Sequence, residues 1–263
     1  SNGRFYLLAL DKEEIQLYQG SRHYLGEINL ETVPDGLEDI LKWEDPENRL
    51  QLHTGSKSVQ GGGTAVIFHG HGFGNEDDPD DDILRYFHRV DEGVRSWLDG
   101  EESPLVLVGV DYLLPLYREA NQYPHIVEQG VKQNPQSLSL GNLHKQAWNI
   151  VEPIFREEQE EALAAYQHLL GTESDLASQN LEDIVLAAYY KRVEALFVAL
   201  DTQYWGKFNP ETNEIIFHQE SQPTDIDLLD FAAAQTLVNG GSVYAVDHEI
   251  IPDGVHAAAI LRY

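Results

Sequence analysis

Hydrophobic positions in the first thirty residues come in short, aromatic-rich runs. RFYLLAL (4–10), IQLYQG (15–20) and HYLGEINL (23–30), separated by a charged DKEE turn and by Gly20–Ser21, predict the strands of a meander. The polar, Gly- and Ser-rich stretch DPENRLQLHTGSKSVQGGG predicts a flexible loop, after which TAVIF (64–68) returns to the sheet. From Ile83 the period changes. Ile83, Leu84, Phe87, Val90, Val94, Trp97 and Leu98 recur at spacings of one, three and four, which predicts a helix with one buried face ending at Gly100. LVLVGV (105–110) is apolar throughout, the pattern of a strand buried on both faces. Asp111 follows where an N-cap would open a helix through YLLPLYREAN.

A long helical stretch over about 139–170 carries Leu143, Ala147, Trp148, Val151, Ile154, Phe155 and Leu163 at helical spacing, with Pro153 expected to kink it and Gly171 to end it. The polar TESDLASQN predicts a linker. Beyond it the pattern predicts a helix (181–190), a strand (193–200), a hairpin about NPETN, a helix (225–238), and strands at SVYAV and AAAILRY. Alternating helices and strands predict an α/β fold in two domains, 1–138 and 139–263, the second including the long connecting helix.

Charge changes the picture more than length does. With 45 acidic against 17 basic residues the formal charge is −28, so the field of the whole molecule repels nucleic acid and anionic membranes unless the few Arg and Lys cluster. The chain has no cysteine, which excludes disulfides, thiolate nucleophiles and Cys-ligated metal sites. No signal peptide and no apolar run near the roughly 20 residues of a membrane span is evident, and the expected location is the cytoplasm. The chain contains no methionine and no initiator residue, which leaves two readings open, a preceding N-terminal segment or methionines absent from the written sequence.

The densest candidate chemistry lies in HGHGFGNEDDPDDD (69–82), between a predicted strand and a predicted helix near Ile83. His69 and His71 form an H-x-H pair that, with Asp77, Asp78, Asp80, Asp81, Asp82 or His88, could bind zinc or manganese in a metal-dependent hydrolase. Against this, the flanking glycines interrupt the extended backbone that would point both imidazoles the same way. Asp80 to Asp82 also sit where a helix N-terminus favours carboxylates. Alternatively, Gly70, Gly72 and Gly74 let the backbone approach a partner closely, with His69, His71 or Phe73 stacking on an RNA base. Elsewhere, Asp11 and Asp111 stand at strand ends, a weak pair for two-metal chemistry. Arg118, Glu119, Asn121, Tyr123 and His125 form a polar group readable either as a binding site or as a hydrogen-bond network. No phosphate-binding glycine loop, dinucleotide fingerprint or Ser/His/Asp arrangement is present, and no cofactor is expected.

Several segments together resemble one family. YYKRVEALFVAL, LVNGGSVYAV and AAAILRY resemble, in order, the C-terminal domain of archaeo-eukaryotic release factors and Pelota, and RFYLLALDKEEIQLYQG with SPLVLVGVDYLLPLYREANQYPHIVEQG resembles their central domain. FHGHG, RVDEGV, GVDYLLPLYREANQYPH and LFVALDTQYWGKF are similar to the bacterial branch of that superfamily, which includes Balon-like hibernation factors. The resemblance implies a ribonuclease-H-like mixed sheet followed by an L7Ae-like α/β/α sandwich. It implies a ribosome-binding translation factor, with ribosomal RNA and a translational GTPase such as elongation factor Tu as partners. It also places 69–82 where the family carries its Gly-Gly-Gln tip. No Gln occurs there, so the hydrolytic residue has no counterpart, and His69, Gly70, His71, Gly72, Phe73 and Gly74 become a candidate ribosome-contact loop on a non-catalytic protein. Tyr204 and Trp205, with the NPETN hairpin, become the candidate partner-binding surface, although Trp205 also suits a core position. The remaining alternative is an adaptor that binds a protein partner without touching the ribosome.

Overall fold

The computed structural model describes residues 3–30, 36, 37 and 79–263, which are mixed α/β and divide into two compact units, 4–151 and 152–263 with residues 1–3. In the first unit β1 (Phe5–Leu10), β2 (Ile15–Ser21) and β3 (Tyr24–Ile28) form the expected antiparallel meander. β4 (Leu105–Gly109) pairs parallel to β1, and the two-residue β5 (Val131–Lys132) adds to it, giving the order β3-β2-β1-β4-β5. The two central strands, β1 and β4, are buried along their whole length. TAVIF lies outside the described residues.

Helices cover both faces of this sheet. On one, Tyr6, Leu8, Leu10, Leu105 and Leu107 pack against α1 (Pro79–Trp97) and α2 (Leu113–Ala120). On the other, the Phe5 ring stacks 6.4 Å from His144 and lies 6.2 Å from Trp148, both on α3 (Leu140–Gly171). Full burial of one large apolar side chain contributes ~2 kcal/mol, whereas an exposed ion pair such as Lys132–Asp111 (2.8 Å) contributes ~0.5. Apolar packing of β1 and β4 therefore dominates the unit's stability.

Two boundaries differ from expectation. α1 opens at Pro79, not near Ile83, because Pro suits the first helical position and Asp80, Asp81 and Asp82 fill the first turn, where carboxylates complement the helix dipole. Asp111 does not cap α2. The N-cap is Tyr112, with no side-chain bond, and the turn is closed by Leu113 N–H to Val110 O at 3.0 Å, leaving Asp111 exposed and paired with Lys132.

α3 runs through Pro153 as one 32-residue helix, and the division between units falls inside it, after Val151, thirteen residues later than 138. Leu143, Ala147 and Val151 are buried in its first half and Tyr166 in its last turns; no residue between is fully buried.

In the second unit the sheet order is β11-β7-β12-β6, built from β6 (Ala177–Ser178), β7 (Val193–Ala199), β11 (Ser242–Val246) and β12 (Ala257–Leu261). The TESDLASQN linker thus supplies an edge strand, too short for a period-two pattern to show. Ala257, Ala259 and Leu261 face α4 (Leu181–Tyr189) and α5 (Leu228–Val238), while Ala258 and Ile260 face the end of α3 around Tyr166. That alternation makes a helix/sheet/helix sandwich. α5 begins at Leu228 instead of 225 because Asp227 caps it, accepting from Leu229 N–H at 3.0 Å. A second, three-stranded sheet, β10-β8-β9, consists of β8 (Trp205–Asn209), β9 (Glu214–Phe217) and β10 (Ile226–Asp227), with NPETN as the β8–β9 turn. Among the described residues no helix is long and apolar enough to cross a membrane.

Candidate functional site

His69, Gly70, His71, Gly72, Phe73 and Gly74, with Asp77 and Asp78, lie outside the described residues. The structure describes the helix on which that loop ends. Asp80, Asp81 and Asp82 occupy the first turn of α1 and His88 lies on its exposed side. Among the described residues no group of three or more His, Cys, Asp or Glu side chains could hold a metal ion.

The most heavily engaged charged group on α1 is Asp91, which the apolar spacing placed inside the buried stripe without marking it. It is 1 % exposed. Arg95, one turn on, donates Nε–H to Oδ2 at 2.9 Å, Gln122 donates its backbone N–H to the same oxygen at 3.2 Å, and the Tyr117 hydroxyl lies 3.5 Å from Oδ1. Burial pushes the Asp91 carboxyl above the usual carboxylate range, opposed by the Gln122 N–H, the Arg95 charge and the Tyr117 hydroxyl. Burial, and then the Asp91 charge, hold the Tyr117 phenol well above its ordinary value. Both carboxylate oxygens are engaged, so Asp91 fastens α1 to α2 and to the segment after it. Beside it an open cleft of about 490 Å³ is lined by Glu92, Arg95, Ser96, Asp99, Gln122 and Tyr123, among others.

In the polar group at the end of α2, Arg118, Asn121 and Tyr123 enter a hydrogen-bond network. Arg118 donates to the carbonyls of Val127 (3.2 Å) and Glu128 (2.5 Å), and Asn121 Nδ2 donates to Tyr123 O at 2.8 Å. The Tyr123 hydroxyl lies 2.7 Å from Ser103 O and 3.2 Å from Glu101 O, and the Tyr123 ring meets His125 edge-on at 5.4 Å. Burial and the Glu101 charge push the Tyr123 phenol up to about 12. Asp11 accepts from Glu13 N–H at 3.1 Å in the β1–β2 turn, while Asp111 pairs with Lys132.

In the second unit, Tyr204 and Trp205 enter β8. The Tyr204 N–H donates to Asp227 at 3.2 Å, its carbonyl accepts from Leu228 N–H at 2.8 Å, and its half-buried ring packs between Phe217 and His256. Trp205 is half-buried and its carbonyl accepts from His218 N–H at 2.9 Å. These contacts make Tyr204 part of the packing that joins the small sheet to the sandwich. The exposed apolar residues nearby are Ile216, Phe217 and Ile226. His218 Nδ1 lies 2.8 Å from Asp225 Oδ2. Burial acts to raise the Asp225 carboxyl, but the Gln222 N–H and His218 outweigh it and hold it below the usual range.

Set beside known families, residues 5–153 match the model of "Bacterial archaeo-eukaryotic release factor family 7", which gives the class of the chain, the release-factor-like translation proteins. The match spans more than half of the chain, and the protein belongs to that bacterial archaeo-eukaryotic release factor family. Among solved structures, ribosome-bound archaeal Pelota is 14% identical, with a TM-score of 0.48, over 99% of this chain and 62% of that one. Dom34 of S. cerevisiae, a translation termination-like factor involved in RNA quality control pathways and interacting with Hbs1, is 9% identical with a TM-score of 0.45, over 98% and 63%. The archaeal translation termination factor aRF1 is 12% identical with a TM-score of 0.33, over 100% and 63%. The chain therefore spans about three-fifths of the length of these relatives. No curated protein matches it by sequence.

Proposed function

We propose that this protein is a ribosome-binding factor that occupies the A site, in hibernation or rescue, without catalysing peptide release. On this reading the first unit is the ribonuclease-H-like central domain and the second the L7Ae-like C-terminal domain. The observation that carries the reading is membership of a release-factor family over residues 5–153, a stretch in which no Gly-Gly-Gln occurs. Release chemistry requires a group that positions water against the peptidyl ester. The His69–Gly74 loop, placed by sequence at the tip, then serves positioning, with small glycines allowing close approach to RNA. A translational GTPase such as elongation factor Tu is the partner proposed for the second unit, through the surface near Trp205 and the exposed Ile216, Phe217 and Ile226. The proposed location is the cytoplasm, where these partners are.

The test is cosedimentation with ribosomes over a salt series, with and without the GTPase, paired with a peptide-release assay on programmed ribosomes. The expected result is binding at moderate salt and release no faster than without the protein. Release at factor-like rates, or failure to bind ribosomes at any salt, would overturn the reading.

A further inference from the structure

The second unit is strongly acidic, yet three of its few cations meet at one corner. The basic residues of 152–263 are Arg156, Lys191, Arg192, Lys207 and Arg262. Arg156 faces Glu152 at 3.8 Å. Lys191, Arg192 and Arg262 converge where α4, α5 and β12 all end. Arg262 N–H donates to Arg192 O at 2.8 Å, and its guanidinium donates to Lys191 O (3.2 Å) and to Asn239 O (3.1 Å). Arg192 donates through Nε to Tyr263 O at 3.1 Å, and its guanidinium carbon lies 5.3 Å from the Tyr263 ring centre. Among the described residues no Asp or Glu side chain forms an ion pair with any of these three cations.

Tyrosine rings surround them. Tyr189 and Tyr190 meet edge-to-face at 5.2 Å and are 36% and 47% exposed; Tyr263 is 69% exposed. The Tyr190 hydroxyl donates to Asn213 Oδ1 at 2.7 Å, which holds the ring in place. Lys191 is exposed in the left-handed region, at φ 61°, in the turn that stops α4.

One role of the arginines is to satisfy carbonyls at two helix ends, where positive charge is favoured. That role accounts neither for Lys191, whose side chain adds no such bond, nor for tyrosines left in water. Aromatic faces beside cations that have no Asp or Glu partner are what a flexible polyanion with exposed bases requires: stacking for the bases and charge for the phosphates. The overall charge opposes such a ligand, but at physiological salt its field decays over ~8 Å, so local charge decides contact.

We propose that this corner grips single-stranded RNA, with bases stacked on Tyr190 and Tyr263 and phosphates against Lys191, Arg192 and Arg262. It deepens the ribosome-binding reading, on which the identity of the RNA rests, though its chemistry does not.

The test is fluorescence anisotropy of a short fluorescein-labelled single-stranded RNA of mixed sequence, titrated with the 263-residue chain. Lys191→Glu and Tyr263→Ala remove charge and stacking at exposed positions and leave the bracing arginines in place. Each is expected to weaken binding about tenfold, with Lys191→Glu lowering the salt slope by about one. Unchanged affinity in Lys191→Glu and Tyr263→Ala, with folding confirmed by circular dichroism, would overturn the proposal. So would displacement of the RNA by polyglutamate as readily as by unlabelled RNA, which would mark an unspecific cationic patch. Ribosome cosedimentation of the same samples separates the two readings. A parent protein that binds ribosomes but not the oligonucleotide overturns the corner alone, and one that binds the oligonucleotide but not ribosomes supports the corner and overturns A-site occupancy. Binding to neither overturns both.

Discussion

At Asp91 a carboxylate is kept in an apolar core by one guanidinium, one backbone N–H and one phenol. Removing it strands the Tyr117 hydroxyl and the Gln122 N–H, so Asp91→Ala is expected to cost ~2–3 kcal/mol, read as a lowered urea midpoint with an unchanged slope. Asp91→Asn keeps an acceptor and is expected to cost about half as much. Its response to pH has a definite sign. Because burial raises the folded-state pKa of Asp91, the folded protein binds the proton more readily than the unfolded chain between the ordinary carboxylate value and the raised one. As pH falls through that window the parent gains stability relative to Asp91→Asn, and as pH rises through it the advantage is lost. Urea midpoints of both proteins at pH 7 and in that acidic window check it; a gap independent of pH would mean that Asp91 titrates alike folded and unfolded. Tyr123 is the second such fastening: Tyr123→Phe leaves Ser103 O without its 2.7 Å donor and is expected to cost ~1 kcal/mol.

Elements joined by close backbone approach tolerate less than elements joined by side chains. A Cβ on Gly206 would stand 2.3 Å from the carbonyl oxygen of Ile216 and 2.8 Å from Leu228, and a backbone oxygen in a paired strand has little room to move. Gly206→Ala is therefore expected to force β9 from β8 at a cost of ~2–3 kcal/mol, seen as lost amide protection in Glu214–Phe217. In α3 the strain runs the other way, since Pro153 removes an intrahelical donor and crowds the carbonyl one turn before it. Pro153→Ala is expected to stabilise that helix by up to ~3 kcal/mol, read as slower amide exchange around the site. These elements also show what one sequence can reveal. The meander, α1, β4 and α3 were legible because each is long enough to express a period of two or 3.6. β5, β6 and β10 were not, since two residues carry no period. Asp91 fell at a buried helical position in plain sight, but only the fold brings Gln122 and Tyr117 to it. Asp111 followed the cap rule and missed, because a backbone turn closed by Val110 O took the cap's place. Of the two residues singled out for a partner surface, Tyr204 is bound into the packing beside β8 and Trp205 is half-buried, positions that a sequence pattern of aromatics does not tell apart. The cationic corner was written as YYKR and LRY, but the strand order unites those segments.

For the molecule as a whole, a formal charge of −28 sets two responses to salt that differ in sign. Self-repulsion among 45 acidic residues favours expansion, and screening weakens it, so thermal stability should rise as monovalent salt goes from ~10 mM, where charges interact over ~30 Å, to ~0.15 M, where they interact over ~8 Å. Association with RNA through a small set of cations should weaken over the same range, because each neutralised phosphate releases counterions that added salt restores. The two curves are obtained on one sample, by thermal denaturation and by ribosome cosedimentation at matched salt. Rising Tm together with falling occupancy means that local cations overcome the global field at the RNA surface. If occupancy instead rises with salt in step with Tm, the attraction is not to phosphate: screening would then be relieving the repulsion between an acidic protein and the ribosome, and the bound face would be apolar, as Ile216, Phe217 and Ile226 are. Lys191→Glu distinguishes the cases, since it flattens a falling curve and leaves a rising one where it was.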